Sequence, residues 1–183
     1  TMLKEKPYLL INNIHRKFID LNRPISVGTC DKSGRYYWNN FHNKLSAIIK
    51  ECKQKYGYCL LFDIHCNLKT HNLIELGYGI KMKNIEKFKF KEFSLDFLKH
   101  YYSLKSLITG ERSLGNYLHK FIDTIPSPIL FDYNSLNNLA IDKLYYSGGY
   151  ITKNYSEKYQ IDAIQIELSI DLCKLNKINY VSE

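Results

Sequence analysis

The sequence lacks the features that would place this chain in a membrane or in a disulfide-rich secreted scaffold. Its 183 residues contain no long uncharged apolar run and no signal-peptide pattern at the start. The five cysteines include no Cys-x-x-Cys pair. An odd number of cysteines without framework spacing predicts reduced thiols. We therefore expect a cytoplasmic protein that has no membrane partner.

Arginine is scarce, although the chain carries a net charge of +8. Only Arg16, Arg23, Arg35 and Arg112 are arginines among the 26 basic residues. The lysines are scattered and accompany abundant Asn, Ile, Tyr and Phe, a bias more typical of A+T-rich coding than of polyanion binding. Nucleic acid is therefore not an expected partner. The few arginines are expected where a planar, bidentate guanidinium is needed.

Alternating hydrophobic patterns predict one α/β domain over residues 1–183, with a mixed, largely parallel central sheet flanked by helices. The predicted strands are Tyr8–Ile14, Tyr58–Ile64, Leu73–Ile80, Lys87–Lys91, Ile129–Phe131 and Ala163–Leu168. The predicted helices are Asn39–Tyr56 with a stop at Gly57, one from Ser94 to about Tyr102, one from Ser113 to before Pro126, and Ile170–Leu175. Tyr58–Ile64 is continuously apolar, which predicts a central strand. Lysines alternate with phenylalanines over Lys87–Lys91, which predicts an edge strand.

A cluster of charged and amide side chains follows the first predicted strand. It contains Arg16, Asp20, Asn22 and Arg23, and Pro24 then forces an extended backbone. A guanidinium beside an amide on a rigid loop predicts a clamp for a substrate carboxylate. A surface ion pair between Asp20 and either arginine explains the same spacing equally well.

A histidine marks the end of the most apolar predicted strand. His65 lies two residues after Asp63, so the two side chains share one strand face and Asp63 can orient the imidazole. At the carboxyl end of a parallel strand, His65 is a candidate metal ligand. A single histidine without supporting ligands is more often structural, so both interpretations stay open.

The last predicted strand carries a glutamate that is a candidate general base. Gln165 and Glu167 alternate with apolar residues and therefore share one strand face. If that face is covered, desolvation raises the pKa of Glu167 toward neutrality, which suits a base that later acts as an acid. An exposed sheet face is the alternative. Gly148 and Gly149 permit either close approach to a ligand or a tight turn.

In series, these motifs resemble the N-formylglutamate amidohydrolase family. The matching segments are Ile14–Arg23, Phe41-His42, Phe62–His65, Ile74–Gly77, Gly110–Gly115, Pro126–Pro128, Tyr146–Tyr150 and Ala163–Glu167. They occur in the family's order over residues 8 to about 170, and the family is similar in fold to zinc carboxypeptidases. The resemblance implies a carboxypeptidase-like hydrolase that uses zinc to cleave the amide bond of a small acylated amino acid or of a peptide terminus.

The resemblance also implies a role for individual residues. It makes His65 a zinc ligand, Asn22 and Arg23 the carboxylate clamp, Arg16 a catalytic arginine near the scissile carbonyl, Glu167 the general base, and Gly148, Gly149 and Gln165 substrate-binding residues. With zinc as cofactor, the implied partner is a small molecule or peptide that carries a carboxylate.

One part of the family pattern is missing. In the family, an earlier strand ends in a Pro-His-Gly-type motif that supplies two metal ligands, whereas His15 and Glu5 are the only histidine and acid before Arg16. Because Thr1 precedes Met2, we expect that a strand with this motif precedes the present sequence. Two alternatives are a second chain that completes the sheet and the site, and an inactive relative with a binding or structural role.

Overall fold

The computed structural model describes residues 6–68, 73–85, 93–128 and 145–178. Contacts along the chain divide it into two compact units, Thr1–Cys59 and Leu60–Glu183. No helix in these described ranges is long and apolar enough to span a membrane. The prediction of one domain over residues 1–183 stays a prediction.

The first unit is built on one long helix. A short helix α1 (Ile25–Gly28) precedes α2 (Lys32–Tyr56). The carboxylate of Asp31 caps α2 by accepting a hydrogen bond from the backbone N–H of Gly34 at 2.7 Å. Gly57 ends it in the left-handed conformation, with φ of 71°. The predicted helix and its stop are confirmed. The cap at Asp31 explains why α2 begins before the first residue of the apolar periodicity.

The prediction of a strand at Tyr8–Ile14 is wrong. The segment makes no sheet pairing, and Asn12 closes a local turn instead. Its side-chain amide donates to the carbonyl of Ile14 at 2.9 Å, and its side-chain oxygen accepts from the Ile14 N–H at 3.2 Å. An asparagine that satisfies nearby backbone groups competes with sheet formation. The pattern of apolar residues in the sequence does not show this competition.

The second unit contains a four-stranded mixed sheet within its described residues. Its elements in chain order are β1 (Leu60–Asn67), β2 (Leu73–Gly77), α3 (Met82–Ile85), a 3₁₀ turn (Leu98–His100), α4 (Leu104–Thr109), α5 (Leu114–His119), β3 (Asp123–Ile125), α6 (Tyr150–Tyr159), β4 (Asp162–Ser169) and α7 (Ile170–Ile178). The strand order is β1-β4-β2-β3. β1 pairs parallel with β4, and β2 with β3, whereas β2 and β4 are antiparallel.

This topology confirms the α/β class and corrects two details of the prediction. The sheet is mixed rather than largely parallel, because its middle pairing is antiparallel. The strand predicted as Tyr58–Ile64 lies at the edge of the described sheet, not at its centre. β1 leaves Phe62 and Ile64 exposed, and an apolar run by itself does not distinguish this case from a covered strand.

The two faces of the sheet have different chemistry. On one face, Ile74, Leu76 and Ile164 are buried in the hydrophobic core of the second unit. Tyr78 and Ile108 complete the centre of that core and are fully buried. The alternate residues of β1, β2 and β4 point to the opposite face, and most of them are polar. That opposite side is called the polar face below.

The segment after Ser94 differs from its predicted helix. Only the 3₁₀ turn Leu98–His100 forms, and the Ser94 hydroxyl donates to the carbonyl of Ala163 at 2.6 Å instead of capping a helix. The buried carboxylate of Asp162 accepts from the backbone N–H of Phe97 at 2.9 Å. These bonds from β4 hold the segment in a turn, and no local signal in the segment anticipates them.

Other predicted elements are confirmed or lie outside the described residues. The helix predicted from near Ser113 forms as α5, with Ser113 accepting from the N–H of Asn116 at 3.2 Å, but it ends at His119, and β3 occupies Asp123–Ile125 before Pro126. The strand β4 and the closing helix α7 also form. The strands predicted at Lys87–Lys91 and Ile129–Phe131 lie outside the described residues.

The cysteines differ from the prediction of reduced thiols. Cys66 on β1 and Cys173 on α7 form a disulfide, with their Cα atoms 6.5 Å apart. Cys30, Cys52 and Cys59 are free. Because the two bonded cysteines are separated by 107 positions, their pairing gives no framework spacing in the sequence. The cytoplasmic location stays a prediction, and one of its premises is lost.

Candidate functional site

The clamp predicted around Arg23 lies on the loop His15–Arg23, called the clamp loop below. The Nε and Nη2 atoms of Arg16 donate to one carboxylate oxygen of Asp20 at 2.9 and 2.8 Å. The Nε atom of Arg23 lies 3.8 Å from the same oxygen. Both arginine side chains stay largely exposed, at 70% and 61%. The predicted ion pair is thus present, and both guanidinium groups are accessible to a ligand.

Helix α2 fixes the clamp loop through two buried ring nitrogens. Trp38 Nε1 donates to the carbonyl of Arg23 at 3.1 Å. His42 Nε2 lies 3.1 Å from the carbonyl of Leu21 and must carry the proton there, because a carbonyl only accepts. The two rings pack against each other at an interplanar angle of 31°, with centroids 3.7 Å apart. The carbonyls on both sides of Asn22 are therefore held from within the first unit.

The carboxylate of Asp20 also shapes the clamp loop itself. Its second oxygen accepts a hydrogen bond from the backbone N–H of Asn22 at 3.0 Å. The N–H of Asp20 in turn donates to the carbonyl of Gly28 at 2.8 Å. A Cβ at Gly28 would lie 2.3 Å from the carbonyl oxygen of Asp20, so only glycine permits this approach. Asp20 thus organises the backbone of the clamp loop in addition to pairing with the arginines.

The polar face brings together the residues predicted from the two strand ends. In the register of the sheet, His65 lies beside Glu167, and Glu167 lies beside Glu75. The next row contains Asp63, Gln165 and Gly77. His65, Gln165 and Glu167 therefore meet within the second unit, as their predicted strand ends suggested.

Hydrogen bonds tie Glu167 into this face. Gln165 Nε2 donates to Glu167 Oε1 at 2.6 Å. Asn67 Nδ2 approaches Glu167 Oε2 at 3.4 Å. His65 Nε2 lies 2.8 Å from Asp63 Oδ1, the orienting contact predicted for this pair. A carboxylate thus lies between two amide donors, with an oriented imidazole beside it.

Exposure rises across the row from Glu75 to His65. Glu75 and Glu167 are 2% and 5% exposed, whereas the His65 side chain is 28% exposed. Burial raises the pKa of Glu167 above the ordinary glutamate value. The charge of His65 and the hydrogen bonds from Gln165 and Asn67 lower this pKa, and the charge of Glu75 raises it. Glu167 is thus a buried carboxyl with a raised pKa, and its neighbour on the His65 side is the more exposed one.

The segment Tyr145–Gly149, called the glycine loop below, lies over β2. A Cβ at Gly77 would stand 2.6 Å from the backbone nitrogen of Gly148, so the loop and the strand are in backbone contact. Gly148 has φ of 111°, a conformation that side chains rarely adopt. Gly79 donates its N–H to the carbonyl of Ser147 at 2.5 Å. The glycines serve a close backbone approach between the loop and the strand.

Two polar side chains of the sheet hold the glycine loop. Glu75 Oε2 accepts from the backbone N–H of Tyr146 at 2.9 Å. Gln165 Oε1 accepts from the N–H of Gly149 at 2.6 Å. The hydroxyl of Tyr145 donates to the carbonyl of Leu76. Gly148, Gly149 and Gln165 therefore already contact one another through the backbone of this loop, and their substrate-binding role stays a prediction.

The described residues do not complete a metal site. Among them, no group of three or more His, Cys, Asp or Glu side chains is arranged to hold a metal ion. His65 with Asp63 has the carboxylate–histidine arrangement of a zinc ligand. A catalytic zinc site requires about three protein ligands. His65 fits one such position, and zinc binding stays a prediction.

Sequence reasoning missed two residues of the polar face. Asn67 follows His65 at strand spacing, so the Asp63, His65 and Asn67 alternation was a usable signal. Glu75 lies between the buried residues Ile74 and Leu76 of a strand, and a charged residue in such a place requires a partner. Both were visible as polar residues on a predicted strand, but neither belonged to a recognised pair.

The predicted site residues fall into two groups. Arg16, Asn22 and Arg23 lie together in the first unit, and His65, Gly148, Gly149, Gln165 and Glu167 lie together in the second. Comparisons with models of known protein families, with curated proteins and with solved structures found no match to this chain.

Proposed function

We propose that the chain is an amide hydrolase that cleaves a small acylated amino acid or a peptide terminus. The proposal takes the finer fold to be carboxypeptidase-like and the activity to be similar to that of N-formylglutamate amidohydrolases. One observation supports it above the others. Glu167 is buried, has a raised pKa, and lies beside a histidine that is oriented by a carboxylate.

Glu167 is the general base in this proposal. A carboxyl whose pKa is raised by burial takes a proton from a water molecule and returns it to the leaving amine more readily than an exposed one. The two amide donors, Gln165 and Asn67, hold the carboxylate in one orientation. The more exposed His65 side of the row is where the water and the scissile amide approach.

His65 is the chain's proposed contribution to a zinc site. When zinc is bound in such an enzyme, it polarises the amide carbonyl and lowers the pKa of water to about 7. Asp63 holds the Nε2 atom of His65, so a metal would use Nδ1. The further ligands that zinc requires are not found among the described residues.

The clamp loop supplies the proposed recognition of the substrate carboxylate. Arg23 and the side chain of Asn22 offer charge and a hydrogen-bond donor on a loop held by Trp38. A catalytic role for Arg16 is what the family resemblance implies. The guanidinium of Arg16 is exposed, and only one of its edges pairs with Asp20. A ligand can therefore bind this guanidinium without a rearrangement of buried groups.

The experiment is a hydrolysis assay on the full chain with added zinc. N-formyl-L-glutamate and N-acetyl-L-glutamate serve as probes, and the released primary amine is measured with fluorescamine. Replacing Glu167 with Gln should lower kcat by about 10²–10⁴-fold, the usual contribution of general acid–base catalysis. Glu157→Gln is the matched control, because Glu157 is exposed on α6 and outside the polar face. Equal rates for wild type and Glu167→Gln would contradict the assignment.

A binding protein without catalysis is the second candidate. The incomplete metal-ligand set among the described residues favours it. It predicts that calorimetry detects binding of N-formyl-L-glutamate and that this binding is weaker in Arg23→Ala. It also predicts that the purified protein shows no hydrolysis of this probe and contains no zinc. Stoichiometric zinc by elemental analysis together with amine release would reject this candidate in favour of the hydrolase.

A further inference from the structure

The side-chain amide of Gln165 is used at both ends. Its oxygen accepts from the Gly149 N–H, and its nitrogen donates to Glu167 Oε1, each at 2.6 Å. Gln165 is 3% exposed, so little of it faces solvent. A glutamine supplies one acceptor and one donor group, and here the two groups connect the glycine loop to the proposed base.

Glu75 provides a second connection to the same loop. Its Oε2 atom accepts from the N–H of Tyr146, three residues before Gly149. Glu75 is 2% exposed and lies beside Glu167 in the sheet register. Between the two hydrogen bonds, the backbone at Gly148 touches Gly77. The loop is therefore held at both ends by side chains and in the middle by backbone contact.

We infer that Gln165 and Glu75 are positioning residues that pin the glycine loop to the sheet and, through Gln165, hold Glu167 in its working orientation. This inference rests on the proposed function for the role of Glu167. The loop is thus a fixed wall over the Glu75 end of the row, and not a lid. It leaves the more exposed His65 end as the approach to Glu167.

A fixed loop of this kind affects catalysis by setting the position of the catalytic group. Neither Gln165 nor Glu75 needs to touch the substrate. Loss of either anchor lets the loop or the carboxylate shift, and small displacements of a catalytic group reduce turnover more than binding. The carboxylate clamp lies on other residues, so KM for a carboxylate substrate should change little.

The first experiment measures backbone hydrogen exchange by NMR on the full chain. In Gln165→Met, which keeps the side-chain length and removes both hydrogen bonds, the N–H of Gly149 should exchange about tenfold faster or more, while Tyr146 keeps its rate. In Glu75→Met, the N–H of Tyr146 should exchange faster, while the N–H of Gly149 keeps its rate. Glu75→Gln keeps an acceptor oxygen and should preserve protection at Tyr146. Unchanged exchange at Gly149 in Gln165→Met and at Tyr146 in Glu75→Met would overturn the pinning.

The second experiment measures kcat and KM separately with N-formyl-L-glutamate. Gln165→Met and Glu75→Met should each lower kcat by about 10- to 100-fold, the order of loss expected when a catalytic group is displaced by about 1 Å. Glu75→Gln should have a kcat close to that of the wild type. Gln165→Glu keeps an acceptor for Gly149 but loses the donor to Glu167, so it should keep the loop protected and still lose turnover.

The outcomes separate this inference from the proposed function. Faster exchange with an unchanged kcat would overturn the positioning role of both residues. A wild type that hydrolyses neither probe would defeat the proposed function alone, and the exchange rates would still decide the pinning. If Gln165→Met does not fold, Gln165→Glu tests the link to Glu167, and the Glu75 variants test the loop.

Discussion

The clamp loop and the polar face hold their charged side chains in opposite ways. In the clamp loop, Arg16 and Arg23 are mostly exposed and share the carboxylate of Asp20. On the polar face, Glu75 and Glu167 are almost fully buried and are held by amide and backbone donors. The first arrangement keeps charge available at little cost in folding energy. The second raises a pKa by removing water.

The same comparison distinguishes what fixes each region in place. The exposed ion pairs add little rigidity to the clamp loop, which is held by the buried nitrogens of Trp38 and His42. The polar face is held by contacts among its own side chains, from Gln165 and Asn67 to Glu167, and by the bonds of Glu75 and Gln165 to the glycine loop. Four substitutions or treatments test this contrast, and they follow in order of expected size.

Reduction of the disulfide should have the largest effect, and it acts on β1, the strand that also carries His65. Cys66 follows His65 on the edge strand β1, and its bond to Cys173 ties that strand to α7. For a separation of 107 residues, the chain-entropy account gives at most about 4.7 kcal/mol of stabilisation. We expect dithiothreitol or Cys173→Ser to lower the free energy of unfolding in urea, and Cys30→Ser to leave it unchanged.

Thiol counting decides whether that bond is present in the purified protein. Alkylation in denaturant should label Cys30, Cys52 and Cys59 before reduction, and all five cysteines after it. Five labelled thiols without reduction would contradict the disulfide and would support the original prediction of reduced cysteines. The prediction of a cytoplasmic location would then regain its premise.

Loss of the indole should be nearly as costly on the clamp side. Trp38 is 9% exposed and packs against His42, so Trp38→Ala should cost about 3–5 kcal/mol of unfolding free energy. Trp38→Phe keeps most of the packing and loses the hydrogen bond to Arg23, which costs about 1 kcal/mol. Urea unfolding followed by circular dichroism measures both. Equal losses for the two variants would mean that packing contributes nothing there.

Glu167→Gln should stabilise the fold in a pH-dependent way. Because the folded-state pKa of Glu167 lies above the ordinary value of 4.5, the folded state binds this proton more tightly than the unfolded chain. Its contribution is complete below about pH 4.5 and is lost as the pH rises through the folded-state pKa. Gln does not titrate, so the variant should gain stability relative to wild type as the pH rises from about 4.5 through the folded-state pKa of Glu167.

The control for this pH dependence is an exposed glutamate on α6. Glu157→Gln should differ from wild type by a nearly constant amount over the same pH range, because Glu157 is exposed. Melting temperatures of both variants, measured in matched buffers, give the comparison. A difference for Glu167→Gln that stays flat with pH would contradict the raised pKa.

Local chemistry in the sequence predicted much of both sites. The Asp63 and His65 spacing, the shared face of Gln165 and Glu167, and the Asp20 ion pair follow from strand period or short loop spacing, and all three are present. These contacts join residues close in sequence. Their geometry is therefore largely fixed by the backbone type alone.

Contacts between distant segments could not be predicted in this way. The turn at Asn12 removed a predicted strand, and the edge position of β1 followed from pairing with β4, which lies a hundred residues away. From the sequence, Gly148 and Gly149 left a ligand contact and a tight turn both open, because the partners of the glycine loop, Glu75 and Gln165, come from two different strands. Such contacts depend on topology, which hydrophobic periodicity does not specify.

Asp20→Asn should have the smallest effect, and it sharpens the contrast from the exposed side. Asn keeps an oxygen for the N–H of Asn22, so the variant removes chiefly the ion pairs with Arg16 and Arg23. We expect a loss of at most about 1 kcal/mol of unfolding free energy at low salt, which disappears near 0.5 M NaCl because exposed charges are screened.

The same variant separates stability from recognition. Without the Asp20 carboxylate, both guanidinium groups lose their internal competitor, so a free carboxylate such as N-formyl-L-glutamate should bind more tightly at low salt. Trp38 is the only tryptophan in the chain and contacts Arg23, so its fluorescence reports this binding directly. Asp20→Ala also removes the acceptor for Asn22 and should bind more weakly than Asp20→Asn. Equal affinities for all three proteins would mean that the clamp loop does not bind carboxylates.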